Sequence, residues 1–284
     1  MKRGLILEGG GMRGLFTCGV TDLLMENNII FDGIIGVSAG AAFGCNIKSG
    51  QCGRALRYNT TYCNDPRYCS FSSLVKTGDL FGADFCYREI PEELDLFDIE
   101  AYRSSPVEFY AVVTNIETGK AEYHKCDLGN GEDLLWIRAS ASMPLVSRIV
   151  NIGSNKYLDG GIADSIPLRA AEELGYEGSV VVLTQPRGYF KEKNKLLPLM
   201  KLVFRKYPKL LDAMERRHEM YNESLEYVAE CEKRGDVFVI APREKLIVGR
   251  IEKDPDILSR VYANGRDTCN ERLEDLCIFL NDNT

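Results

Sequence analysis

Residues 4–14 read Gly4-Leu5-Ile6-Leu7-Glu8-Gly9-Gly10-Gly11-Met12-Arg13-Gly14, and this run sets the expected architecture. Gly4 to Glu8 has the length and apolar content of a short buried strand, and the glycine cluster after it marks a turn. Residues 12–27 carry Leu15, Val20, Leu23 and Leu24 at a helical spacing. Phe31 to Val37 is a second apolar run, punctuated by Gly33 and Gly36, and residues 39–48 are small and helix-compatible. Strand, helix, strand and helix in succession predict an α/β fold with a parallel sheet.

The same pattern continues less regularly. Residues 51–106 predict helices interrupted by turns at Asp65-Pro66 and Gly78-Asp79. Val107 to Thr114 predicts a strand, Asp133 to Ser142 a helix that ends before Pro144, and Lys156 to Leu158 a short strand. Pro167 to Leu174 predicts a helix with proline in its first turn, and Ser179 to Thr184 a buried strand. Residues 187–234 are mostly helix-forming, Val237 to Ala241 predicts a late strand, and two helices follow from Asp254. The expected organisation is an α/β domain over residues 1–242 with a helical extension over 243–284.

The chain has 284 residues, 45% hydrophobic and 27% charged, enough for a sizeable core without disulfides. A net charge of −7 makes nucleic acid an unexpected partner and argues against wholesale binding to anionic membranes. Ten cysteines contain no C-x-x-C pair, and there are two histidines, so neither a metal nor a cofactor is expected. The thiols read as small buried hydrophobes. The basic start, Met1-Lys2-Arg3, precedes an apolar run too short for a signal peptide, and no run approaches the roughly 18 apolar residues that span a bilayer. These features predict a cytoplasmic protein with reduced thiols.

Three glycine-bearing signals carry the chemistry. Gly36-Val37-Ser38-Ala39-Gly40 is a G-x-S-x-G between a strand and a helix, where a sharp turn would expose the serine and the helix N-terminus would favour developing negative charge. Gly9 to Gly14 also joins a strand to a helix, and its bare N–H groups suit either an oxyanion hole or a phosphate cradle. Gly9, Gly11 and Gly14 satisfy G-x-G-x-x-G, but Asp32 precedes the second strand instead of ending it, which weakens a nucleotide reading. Asp159-Gly160-Gly161 is by itself a turn sequence and gains meaning only beside the other two.

The histidines decide the base. His124 lies in an expected sheet-edge or hairpin position and His218 in a charged helix, so neither suits a Ser-His-Asp triad. A carboxylate is left to act on the serine. A solvated aspartate, with a pKa near 3.9, is a feeble base, but burial raises that value and a fixed hydrogen bond aligns the proton.

With Gly9 to Gly14, Gly36 to Gly40 and Asp159-Gly160-Gly161 in that order, the sequence resembles the patatin-like phospholipase family. Val113-Thr114-Asn115 and Arg138-Ala139-Ser140-Ala141-Ser142-Met143-Pro144 support the resemblance, which covers residues 4–185. It implies a three-layer α/β/α fold with a mainly parallel central sheet, and cofactor-free hydrolysis of lipid esters, of phospholipid or lysophospholipid. Carried over, Ser38 is the nucleophile and Asp159 the base. Gly10, Gly11 and Met12 form the oxyanion hole, Arg13 is a basic substrate-binding position, and Gly9, Gly14, Gly36, Gly40, Gly160 and Gly161 are motif glycines. Asp164 stands where many members have asparagine.

Arg187 to Lys209 holds eight Lys/Arg and one acid, a net +7 against −14 for the rest of the chain. Leu196, Leu197, Leu199, Met200, Leu202, Val203, Phe204 and Leu210 are interleaved, a pattern for peripheral contact with an anionic membrane, for a lid, or for the basic face of a packed helix. Two other function classes stay open: a non-catalytic patatin-like binding protein, and a nucleotide-binding oxidoreductase using the glycine loop. Head group, acyl chain and oligomeric state are not readable.

Overall fold

Leu5 and Leu7 join one hydrophobic core while Ile6, between them, joins another. The same alternation separates Ile34 from Ile35, Ala111 from Val112 and Val180 from Val181. Strands buried on both faces belong in the middle of a helix–sheet–helix sandwich. That is what the computed structural model, which describes residues 2–282, contains.

In chain order, β1 (Gly4–Leu7), α1 (Gly14–Glu26), β2 (Gly33–Val37) and α2 (Ala39–Lys48) open the fold. Next come α3 (Arg54–Tyr62), α4 (Phe71–Thr77), a π-helical stretch (Phe85–Leu94) and α5 (Ile99–Ser104). They are followed by β3 (Glu108–Asn115), β4 (Ala121–Lys125), α6 (Gly131–Ser140), β5 (Val150–Ile152) and β6 (Asn155–Asp159). The remainder is α7 (Leu168–Glu173), β7 (Ser179–Val182), α8 (Leu197–Val203), α9 (Pro208–Arg234), β8 (Val237–Ile240), α10 (Pro255–Glu271) and α11 (Leu273–Asp282).

The sheet runs β5-β6-β3-β2-β1-β7-β8, with β4 also paired to β3. β1, β2, β3, β7 and β8 are parallel, whereas β4 and β6 run antiparallel to β3 and β5 antiparallel to β6. One face carries α1, α2 and the C-terminal helices; the other carries α7 and α9. The strand expected at Lys156 to Leu158 is half of the β5–β6 hairpin, whose partner Val150–Ile152 is too short to show a period. Pro167 sits at the N-cap of α7 instead of inside its first turn.

The C-terminal helices share the core of β1 and α1: Leu258, Val261, Cys269 and Leu276 are buried in the same cluster as Leu5 and Phe16. α10 crosses α1 backbone to backbone, because a Cβ on Gly19 would overlap the Tyr262 carbonyl and one on Gly265 the Phe16 carbonyl. Even Gly265→Ala is therefore expected to cost about 1–3 kcal/mol of stability by forcing the helices apart. Denaturant unfolding checks this, and an unchanged midpoint would contradict so close a crossing.

Candidate active site

β2 hands over to α2 through a single residue. Ser38 makes that turn with φ 55° and ψ −118°, a conformation L-residues rarely adopt. Gly36 and Gly40 allow it: a Cβ on Gly36 would lie 2.5 Å from the Gly40 carbonyl, and one on Gly40 would overlap the Leu7 carbonyl. The turn is held from inside. The Ser38 N–H donates to Ser140 Oγ at 2.9 Å, and the Ser38 carbonyl accepts from Ala41 and Ala42.

Register brings the carboxylate to the serine. Val37 pairs with Val112, and the next residue of β3, Val113, pairs with Asp159. Ser38 Oγ donates to Asp159 Oδ2 at 2.7 Å, and the other oxygen, Oδ1, accepts the Gly161 N–H at 2.8 Å. Thr114 Oγ1 holds the Asp159 carbonyl at 2.8 Å. Burial raises the Asp159 pKa; the Ser38 hydroxyl, the Arg217 charge and the Gly161 N–H oppose that rise without cancelling it.

The glycine loop lies beside this pair: a Cβ on Gly9 would stand 2.8 Å from Ser38 Cβ. Among the described residues, no acceptor takes the N–H of Gly10 or Gly11. The Met12 N–H, expected as a further free donor, is already engaged by the Arg250 carbonyl at 3.3 Å. Arg13 closes the loop, and its Nε is buried without a hydrogen-bond partner.

The sequence model described as patatin-like phospholipase matches residues 5–172. The chain belongs to that family. A second model, a domain of unknown function (DUF6363), matches residues 207–281. Among relatives, the uncharacterized protein YjjU of Escherichia coli is 33% identical over 190 residues, 64% of this chain and 52% of that protein. Lysophospholipase nte1 of Aspergillus niger is 31% identical over 178 residues, 61% of this chain but 11% of that protein. The match thus spans about half of one relative and a small part of the other. The crystal structure of VipD from Legionella pneumophila aligns over 96% of this chain and 67% of its own, with a TM-score of 0.50 and 13% identity, a likeness of fold.

In this patatin-like chain two pockets meet at Ser38. One is apolar and is walled by Phe43, Tyr58, Tyr68, Tyr87, Ile90 and Phe97. Its floor includes the π-helical stretch, where Pro91 lacks the N–H that a regular α-helix needs. The other pocket, about 280 Å³, contains both members of the Ser38–Asp159 pair and the cations Arg13, Lys191, Arg217 and Arg250. Glu8 lies beneath it, accepting from the Thr184 N–H at 2.6 Å and the Tyr221 hydroxyl at 2.7 Å, with its pKa raised by burial.

In the sequence, Ser140 and Thr114 stand out only as parts of supporting blocks, Lys191 only as one cation of the basic segment Arg187 to Lys209, and Glu8, Arg217, Tyr221 and Arg250 carry no site role. Glu8 has a signal, an acid directly before a glycine cluster; Arg217, Tyr221 and Arg250, scattered over charged segments, have none. His124 and His218 stand away from Ser38: His124 stacks on Trp136 at 3.9 Å, and His218 lies on α9. His124, Cys126 and Asp133 bring donor atoms within 4.8 Å of one another. Asp133 there accepts the Leu128 and Gly129 N–H groups, which is hairpin–helix packing. Asp164, at the position that departs from many members, accepts the Tyr123 hydroxyl at 2.7 Å.

The raised Asp159 pKa has a stability consequence. The protonated form suits the folded state, so that contribution is present below the unfolded pKa of about 3.9 and is lost as pH rises through the folded value. Above the folded value the buried charge is a net burden. Asp159→Asn, which removes it, should leave the melting temperature at pH 7 unchanged or higher; a clear drop would show that the carboxylate stabilises the fold.

Proposed function

We propose that the chain is a serine acyl hydrolase of lipid carboxylic esters, of phospholipid or lysophospholipid, working through a Ser38–Asp159 dyad. The observation that carries this reading is the 2.7 Å hydrogen bond from Ser38 Oγ, on its strained turn, to a buried carboxylate. Asp159 takes the hydroxyl proton as Oγ attacks the ester carbon. The carbonyl oxygen becomes an oxyanion, received by the unpaired N–H groups of Gly10 and Gly11 at about 3 kcal/mol per donor. Asp159 then returns the proton to the leaving alcohol, leaving an acyl-Ser38. Water, deprotonated by the same carboxylate, attacks the acyl carbon, and the fatty acid departs as the bond to Ser38 Oγ breaks and Asp159 returns the proton to that oxygen.

Desolvation makes Asp159 a stronger base than a solvated aspartate. Because the ionised form is required, kcat/KM for a chromogenic ester should fall on acidification, beginning above the pH near 4 at which a solvated aspartate titrates. Ser38→Ala and Asp159→Asn should each lower kcat by about 10³-fold or more, the usual cost of losing a nucleophile or its base. His124→Ala and His218→Ala should leave it unchanged. Full activity in Ser38→Ala would end this reading and favour a non-catalytic scaffold.

The basic segment gives the enzyme a route to its substrate. Lys193 and Lys201 pair with Glu215 and Arg187 pairs with Glu232, so part of the +7 is neutralised by α9. Leu197, Met200, Phe204 and Leu210 pack inward, whereas Leu196, Leu199, Leu202 and Val203 stay exposed. Leu196 also lines the polar pocket, so the exposed apolar face adjoins the mouth of the site. An anionic bilayer surface is the partner this face suits, apolar side chains entering between head groups with Lys195, Arg205 and Lys206 around them. Leu199→Ser with Leu202→Ser should abolish flotation with phosphatidylglycerol vesicles while a water-soluble ester is still cleaved; undiminished flotation would sink the docking role.

A further inference from the structure

Four cations converge on the polar pocket from four separate segments. Arg13 comes from the glycine loop, Lys191 from the loop after β7, Arg217 from α9 and Arg250 from the stretch before α10. Two carboxylates face them, and both are occupied by neutral donors. Glu8 is held by Thr184 and Tyr221, and Asp159 by Ser38 and Gly161. Among the described residues none of the four cations makes an ion pair within 4.0 Å, although Lys2, Arg57, Arg138 and many exposed cations do.

Unpaired cations gathered in a partly buried pocket repel one another and lose hydration, a cost that an anionic ligand would relieve. Three details locate that ligand. Arg13 Nε is buried and has no acceptor. Arg217 spends its Nε on the Gly161 carbonyl, and among the described residues its terminal nitrogens have no acceptor. Lys191 lies 3.8 Å over the Tyr221 ring, and burial together with the neighbouring Arg217 holds its pKa down to about 7. Guanidinium forks and an ammonium around one space match a tetrahedral oxyanion with several acceptor oxygens better than a single carboxylate.

We propose that Arg13, Lys191, Arg217 and Arg250 form a phosphate-binding subsite beside Ser38, so that the acyl chain of the substrate enters the Phe43–Tyr58 pocket while a phosphate head group enters this one. The placement of the ester rests on Ser38 as nucleophile; the anion subsite itself does not. The ligand is a phosphate mono- or diester, presented by a lipid head group.

The test compares two short-chain esters, octanoyl-glycerol phosphate and neutral monooctanoylglycerol, and measures inorganic phosphate binding by calorimetry. The wild-type protein should cleave the phosphate-bearing ester with a kcat/KM at least about tenfold higher, one charge-assisted contact's worth. Inorganic phosphate should bind and compete with that ester. Lys191→Gln and Arg250→Gln should each shrink the preference between the two esters about tenfold, and Lys191→Arg should retain it. An equal rate on both esters, or variants that slow both alike, would overturn the head-group role. Inorganic phosphate that binds without any preference between the esters would assign the subsite to free phosphate and likewise overturn it. Should neither ester be cleaved, phosphate binding weakened in Lys191→Gln would support the subsite while the hydrolase reading fails; phosphate binding absent from the wild-type protein would overturn the subsite by itself.

Discussion

α2 rests on β1 closely enough that Gly40 meets the Leu7 carbonyl with no space for a side chain. This contact leaves the chain one residue in which to turn from β2 into α2, and that residue is Ser38. Its positive φ costs on the order of 1–3 kcal/mol. The cost is offset where it arises: Ser140 accepts the Ser38 N–H, and the first turn of α2 takes the Ser38 carbonyl. The alternation of strand residues between two cores then holds β1, β2 and β3 in a fixed register, so the strained serine, the glycine loop and Asp159 share one edge of the sheet. A shift of register by one residue would turn Ile6 and Leu7 to the wrong cores and part Val113 from Asp159.

The electrostatics of that edge are set by how its acids are satisfied. Glu8 and Asp159 are buried, and burial raises both pKa values. Had each been paired with an arginine, its basicity would have fallen and the cations would have been consumed. Hydroxyl and amide donors hold them instead. These fix geometry with less loss of basicity than a full charge would bring, and leave the arginines facing the pocket. Arg217 and Arg250 act on Asp159 only at a distance, lowering its pKa less than desolvation raises it. Asp159 is therefore a carboxylate whose burial favours taking up a proton, which is what the proposed abstraction of the Ser38 hydroxyl proton requires.

The parallel core was legible in the sequence because both of its signals are local. Short apolar runs bounded by glycine give strands, and Leu15, Val20, Leu23 and Leu24 give a helix. Ser38 and Asp159 were legible for the same reason, since each is marked by glycines within two residues. The β5–β6 hairpin was half missed, because the alternation of Val150, Asn151 and Ile152 is only three residues long and too short to stand out as a strand. The cationic wall was only half legible: Arg13 is marked by its glycine loop and Lys191 falls in the basic segment, but Arg217 and Arg250 carry no local signal. Arg217 lies in Glu215-Arg216-Arg217-His218-Glu219, where nothing local separates an arginine that reaches the Gly161 carbonyl from its neighbour Arg216, which is exposed and pairs with Glu219. Only the path of α9 across the sheet distinguishes them.

That path also divides the labour of the site. The patatin-like match ends at residue 172 and contains Ser38, Asp159 and the glycine loop, whereas the DUF6363 match over residues 207–281 contains Arg217, Tyr221 and Arg250. The Ser38–Asp159 pair and part of the wall of its polar pocket thus come from separate stretches of the chain. The second stretch is bound to the first through structure that chemistry does not need: the glycine crossing of α10 on α1, and the Arg250 carbonyl laid on the Met12 N–H. A patatin-like core lacking it would keep the strained serine but lose the Tyr221 hydroxyl from Glu8 and two of the four cations from the pocket. On the proposed head-group subsite, selectivity can therefore change by substitution in the C-terminal stretch without disturbing the register on which the Ser38–Asp159 hydrogen bond depends.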